Sequence, residues 1–92
     1  MKKMRNTKDL YWNHEPRNLN GAYLAAANLI GAELRDADLI GAYLENADLH
    51  KAILIRANLK YADLRHADLR GANLKGAIFP EGYGKLPTNK EG

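Results

Sequence analysis

Apolar side chains recur along this chain with a period of five. Leucine occupies every fifth position from Leu19 to Leu74, Phe79 takes the thirteenth slot, and alanine stands two residues earlier in twelve cases, Ala22 to Ala77. Neither regular element has that period. Five residues turn an α-helix by about 500°, so successive leucines would spiral around the axis instead of lining one face. In an unbroken strand an odd period would send alternate leucines to opposite faces, whereas the Ala-x-Leu spacing of two points each pair the same way. Both facts are met by a short extended piece with alanine and leucine inward, then a corner within two or three residues, then repetition. The chain coils around its own leucines as a solenoid.

The lattice alone does not count the sides of that coil. A lag of ten (Gly21, Gly31, Gly41) repeats about as well as a lag of twenty (Gly21-Ala22-Tyr23-Leu24 against Gly41-Ala42-Tyr43-Leu44). The intact copies Ala27-Asn28-Leu29, Ala37-Asp38-Leu39, Ala47-Asp48-Leu49, Ala57-Asn58-Leu59, Ala62-Asp63-Leu64, Ala67-Asp68-Leu69 and Ala72-Asn73-Leu74 resemble the pentapeptide-repeat family. That resemblance covers residues 17–81 and implies an all-β fold, a right-handed quadrilateral β-helix of about three and a quarter coils in which residues twenty apart stack. The implied core columns are Leu19, Leu39, Leu59 and Phe79; Leu24, Leu44 and Leu64; Leu29, Leu49 and Leu69; and Leu34, Leu54 and Leu74.

Outside the lattice lie residues 1–16 and 82–92. An open solenoid end exposes leucine and unpaired backbone groups, so Leu10, Tyr11 and Trp12 are expected to cap the first coil, behind a solvated basic start. At the other end Pro80 removes a ladder donor and the lattice stops. Phe79, Tyr83 and Leu86 either fold back as a second cap or meet the same surface of another subunit, giving a homodimer through one end of the solenoid. The resemblance implies that some members pair through their C-terminal ends. Thr88 to Gly92 read as disordered.

Composition narrows the class. Ninety-two residues, 46% hydrophobic and 27% charged, make one small ordered domain. No cysteine is present, which excludes disulfides and thiolate metal sites. Every leucine is flanked by polar positions, so neither a secretory apolar region nor a transmembrane helix is expected, and the cytoplasm is the default location.

Chemistry has to sit on the outward positions. The residue before the leucine is Asp or Asn in eight of thirteen copies, small polar types that hydrogen-bond local backbone at corners. Stacking brings Asn46 over His66 and Asp48 over Asp68 with His50 nearby, but Lys51 and Arg70 neutralise those carboxylates, so no metal is expected. The chain has no serine, and its histidines have no nucleophile beside them. A cylinder filled with alanine and leucine also lacks a concave pocket, so the chain is read as a non-enzyme without a cofactor. The outward apolar residues Tyr23 and Tyr43 on one face, and Ile53 and Ile55 on another, are candidate protein contacts together with Phe79 and Tyr83 at the end.

Charge separates two ideas about partners. Some pentapeptide-repeat proteins are described as mimics of duplex DNA that bind DNA gyrase through a densely acidic rod. Residues 17–81 instead hold eight Lys/Arg and eight Asp/Glu; residues 17–50 carry a net charge of −3 and residues 51–81 one of +3. The cations Lys51, Arg56, Lys60, Arg65, Arg70 and Lys75 spread over several sides, which does not suit one nucleic-acid backbone. The sequence therefore reads as a non-enzymatic protein interaction or scaffold module, with DNA mimicry toward a type II topoisomerase such as DNA gyrase as the alternative. Nucleic acid and membrane are not expected partners. Leu54→Lys would bury an unpaired charge and is expected to abolish the native circular dichroism spectrum; a retained spectrum would refute the proposed core.

Overall fold

A computed structural model of the chain describes residues 18–83. Its architecture follows from one corner, repeated. In each pentapeptide the alanine N–H donates to the C=O of the leucine three residues earlier, from Ala22 to Leu19 (2.9 Å) through to Ala77 to Leu74 (3.0 Å). The third residue of every one of these turns, from Gly21 to Gly76, has φ between 58° and 73°, while the second residue does not have positive φ. That is the arrangement of a type II turn. Glycine fills five of these twelve corner slots; Ala26, Asp36, Asn46, Lys51, Arg56, Tyr61 and His66 fill the others in a region that costs a non-glycine residue about 1–2 kcal/mol. The tight turn thus belongs to the slot, whatever residue occupies it.

Four such corners return the chain to its starting point. Isolated parallel bridges join residues twenty apart and fall into four columns. The first face carries Asn18, Asp38, Asn58 and Ile78; the second Tyr23, Tyr43 and Asp63; the third Asn28, Asp48 and Asp68; the fourth Glu33, Ile53 and Asn73. Each rung uses its backbone in the same way. The leucine and corner N–H groups donate to the next coil, as Leu39 does to Asn58 and Gly41 to Lys60, both at 2.8 Å, and the N–H of the residue before the leucine donates to the previous coil, as Asn58 does to Ala37 at 2.9 Å.

The fifth N–H, just after the leucine, is met by the Asp or Asn side chain two residues earlier, as in Ile30 to Asn28 (3.2 Å), His50 to Asp48 (3.2 Å) and Lys60 to Asn58 (3.1 Å). In a coil followed by another, a pentapeptide with Asp or Asn before its leucine therefore satisfies all five of its N–H groups, which is why that residue type recurs. Asp38 departs from the rule. The Ile40 N–H donates to Asn20 Oδ1 of the preceding coil (3.1 Å), Asn20 Nδ2 donates to Asp38 Oδ2 (3.2 Å), and Asp38 Oδ1 is buried without a hydrogen-bond partner.

Inside, the leucines from Leu19 to Leu69 and the alanines two residues before them, from Ala22 on, are buried, and the leucines from Leu24 to Leu59 are no more than 1% exposed. Leu74 and Phe79 are only partly buried. Tyr83 closes part of that end at 6% exposure. Leu10, Tyr11 and Trp12 of the expected N-terminal cap, and Leu86, lie outside the described residues. No helix among the described residues is long and apolar enough to cross a membrane.

The corner slot can be tested by adding one methyl group. At Gly41, φ +68°, a Cβ would meet nothing within 4 Å, so Gly41→Ala isolates the conformational cost, about 1 kcal/mol. At Gly76, φ +72°, it would lie 3.2 Å from Arg56 Cγ. Urea unfolding should therefore show Gly76→Ala as the more destabilised of the two variants.

Candidate docking face

A filled interior leaves only faces and ends for recognition, and the four faces differ. On the second face the residue before the leucine points outward, and in the first two coils it is tyrosine. The rings of Tyr23 and Tyr43 stand 6.0 Å apart, tilted by 53°, and are 42% and 47% exposed. Tyr61, in the corner leading into this face one coil further on, is 73% exposed, with Lys60 Nζ 5.3 Å from its ring centroid. Three of the five exposed large apolar residues among those described thus border one side of the cylinder. That side continues into an open groove of about 540 Å³ at the C-terminal end, lined by Tyr61, Leu64, Arg65, Pro80 and Tyr83 among others.

The other candidate contacts are placed differently. Ile53 and Ile55 are half-buried on the fourth face, across the cylinder from the tyrosines, where Ile53 is bridged on both sides, to Glu33 and to Asn73. Phe79 stacks on Tyr83 with ring centroids 5.2 Å apart and planes 13° from parallel. Tyr83 belongs to the core cluster, so its ring serves packing and is not offered on the outer surface. Tyr61, in contrast, was absent from the sequence-based contact set. Its signal was legible, since a bulky aromatic stands in a corner slot that glycine otherwise favours.

Among the described residues each arginine pairs with a carboxylate of the same chain. Arg35 binds Glu33 (3.1 Å), Arg65 binds Asp63 (2.7 Å) and Arg70 binds Asp68 (2.6 Å) within single pentapeptides, whereas Arg56 reaches Asp36 of the previous coil with two bonds, 2.7 and 3.0 Å. Hydrogen bonds from these guanidinium groups hold the Asp36, Asp63 and Asp68 carboxyls below the usual carboxylate range, and they raise the arginines in turn. No three His, Asp or Glu side chains among the described residues are grouped to hold a metal. At the His50 corner the Asp68 carboxylate is engaged by Arg70, and Asp48 Oδ1 accepts from the His50 N–H. Lys51, Lys60 and Lys75 stand at three different places around the cylinder, so they form no continuous basic track.

The pentapeptide-repeats family model matches the chain over residues 18–54 and 52–81, in eight copies. No curated protein matches it.

The ion pairs predict an acid limit. A carboxyl whose pKa is lowered by folding contributes stability that is fully present above its unfolded value of about 4 and is lost as pH falls through the lower folded values. The melting temperature should therefore hold between neutral pH and about pH 5 and decline below about pH 4. Asp68→Asn should flatten part of that decline, and a variant curve parallel to the parent's would show that the pair contributes nothing.

Proposed function

The chain belongs to the pentapeptide-repeat family, and from that premise we propose that it is a non-enzymatic interaction module whose second face, carrying Tyr23, Tyr43 and Tyr61, docks a protein partner. The described coil is then a right-handed quadrilateral β-helix, with thirteen pentapeptides at four per turn making about three and a quarter coils. The four bridge columns and their spacing of twenty support that geometry. The observation that carries the docking reading is the gathering of the exposed tyrosines on one side of a cylinder whose interior is filled.

Aromatic rings suit this task because they present large rigid apolar area with a polar tip, at the cost of only two side-chain torsions. The backbone beneath them is held by inter-coil hydrogen bonds, Leu24 to Tyr43 and Leu44 to Asp63 at 2.8 Å, so the two rings are presented at a fixed spacing. Nothing about their outward position is needed for the core.

DNA mimicry is the weaker reading. A gyrase-like site built to neutralise phosphates needs unpaired negative charge, and Glu33, Asp36, Asp63 and Asp68 are already matched by arginines of the same chain. Self-association through an end is compatible with docking at Tyr23 and Tyr43, which do not line the C-terminal groove that Tyr61 borders.

Tyr43→Ala is expected to leave the circular dichroism spectrum and melting temperature nearly unchanged while lowering capture of a binding protein at least tenfold. Ile53→Ala on the opposite face serves as the control and should leave capture intact. Equal losses from both variants would remove the face assignment, and steep weakening with salt would favour the charge-based alternative.

A further inference from the structure

Asparagine followed by glycine occurs once in this chain, at Asn20-Gly21, and the pair sits in the corner that leads from the first face to the second. That combination has its own chemistry. The backbone nitrogen of the following residue can attack the asparagine side-chain amide carbon, and glycine carries no side chain to hinder the approach. The other described asparagines are followed by leucine, after Asn18, Asn28, Asn58 and Asn73, or by alanine, after Asn46.

The fold engages every group that the reaction needs. Gly21 N–H, the attacking nitrogen, donates to Ile40 C=O at 2.8 Å. Asn20 Oδ1 accepts from Ile40 N–H (3.1 Å), and Asn20 Nδ2, the leaving nitrogen, donates to Asp38 Oδ2 (3.2 Å). All three partner groups belong to the next coil, so ring closure requires Asn20 and Gly21 to leave the ladder together. Asn20 is itself exposed, so water and base reach it once the corner opens. We propose that Asn20 is a deamidation site gated by opening of this corner, and that the carboxylate it yields opposes reclosing by facing Asp38.

In the first step the Gly21 nitrogen bonds to Asn20 Cγ, the Cγ–Nδ2 bond breaks, and Nδ2 leaves as ammonia with the proton that Gly21 gives up. Water then opens the cyclic imide, giving aspartate when it attacks Cγ and isoaspartate when it attacks the backbone carbonyl carbon. Either product disturbs the corner. In aspartate an oxygen replaces the Nδ2 donor, so Asp38 gains a like charge and loses its only side-chain donor among the described residues, while its Oδ1 is already buried without a partner. In isoaspartate the backbone runs through Cβ, which adds an atom to the turn that Ala22 N–H and Leu19 C=O close at 2.9 Å.

Tyr23, Tyr43 and Tyr61 take no part, so this proposal and the docking reading can fail separately. The full chain is incubated in mildly alkaline buffer with and without denaturing urea, and conversion at each asparagine is followed by peptide mapping and mass spectrometry. Residue 20 is expected to convert fastest in urea, and about tenfold more slowly or less in buffer alone. Asn20→Asp is expected to lower the melting temperature at neutral pH by a few degrees. Asp38→Asn should remove most of that loss, because it restores a donor opposite the carboxylate. Equal rates with and without urea would overturn the gate, and faster conversion of another asparagine in urea would overturn the site. An Asn20→Asp melting temperature equal to the parent's, or an undiminished loss in the Asp38→Asn background, would overturn the role given to the product charge.

Discussion

Everything in this molecule depends on a corner that must be made every five residues with the backbone in the left-handed region. The leucine C=O and the following alanine N–H close a type II turn, which requires positive φ at the residue before the alanine. Seven non-glycine residues accept it, among them Arg56 and Tyr61 at φ 58° and 64°. An isolated turn would not hold them there. What over-determines the conformation is the ladder: in coils that have a successor the corner N–H is itself a donor to the next coil, as Asn46 is to Arg65 and Arg56 is to Lys75. Corner and ladder therefore reinforce one another.

The same arrangement explains why chemistry is confined to the exterior. With alanine and leucine meeting on the axis there is no room inside for a substrate, and backbone amides are consumed by turns, neighbouring coils and Asp or Asn side chains. The coil has spare apolar surface where a large side chain occupies a slot that the core does not need. Such side chains gather on the second face, at Tyr23, Tyr43 and Tyr61.

The lattice made the core legible, since an alanine and a leucine at a spacing of two can only share a side. The role of Asp and Asn was legible too, because their preference for local backbone bonds is a property of the side chain. Tyr83 was not legible as a buried residue: it follows Pro80, and once the repeat breaks, the sequence carries no register from which to place it. Nor was the half-burial of Ile53 and Ile55, which reflects neighbours in adjacent coils that linear reading does not weigh. The buried, unpartnered Asp38 Oδ1 has no signature in sequence either, for it arises from Asn20 of another coil taking over the Ile40 N–H.

Charge shows most clearly how coiling changes what a sequence means. Counted along the chain, the first part of the repeat is acidic and the second basic, which suggests an axial dipole and end-to-end attraction. Coiling joins the two parts. Arg56, counted with the basic segment, lies 2.7 Å from Asp36, counted with the acidic one, and the two are stacked neighbours in adjacent coils. The remaining arginine pairs are closed within single pentapeptides, so much of the segmental charge is cancelled over a few ångströms. At physiological salt, fields from what is left are screened over about 8 Å, less than two coil spacings. Long-range attraction between ends is accordingly weak. Association of the kind proposed would rest on short-range features such as the tyrosine rings, where water is displaced at contact.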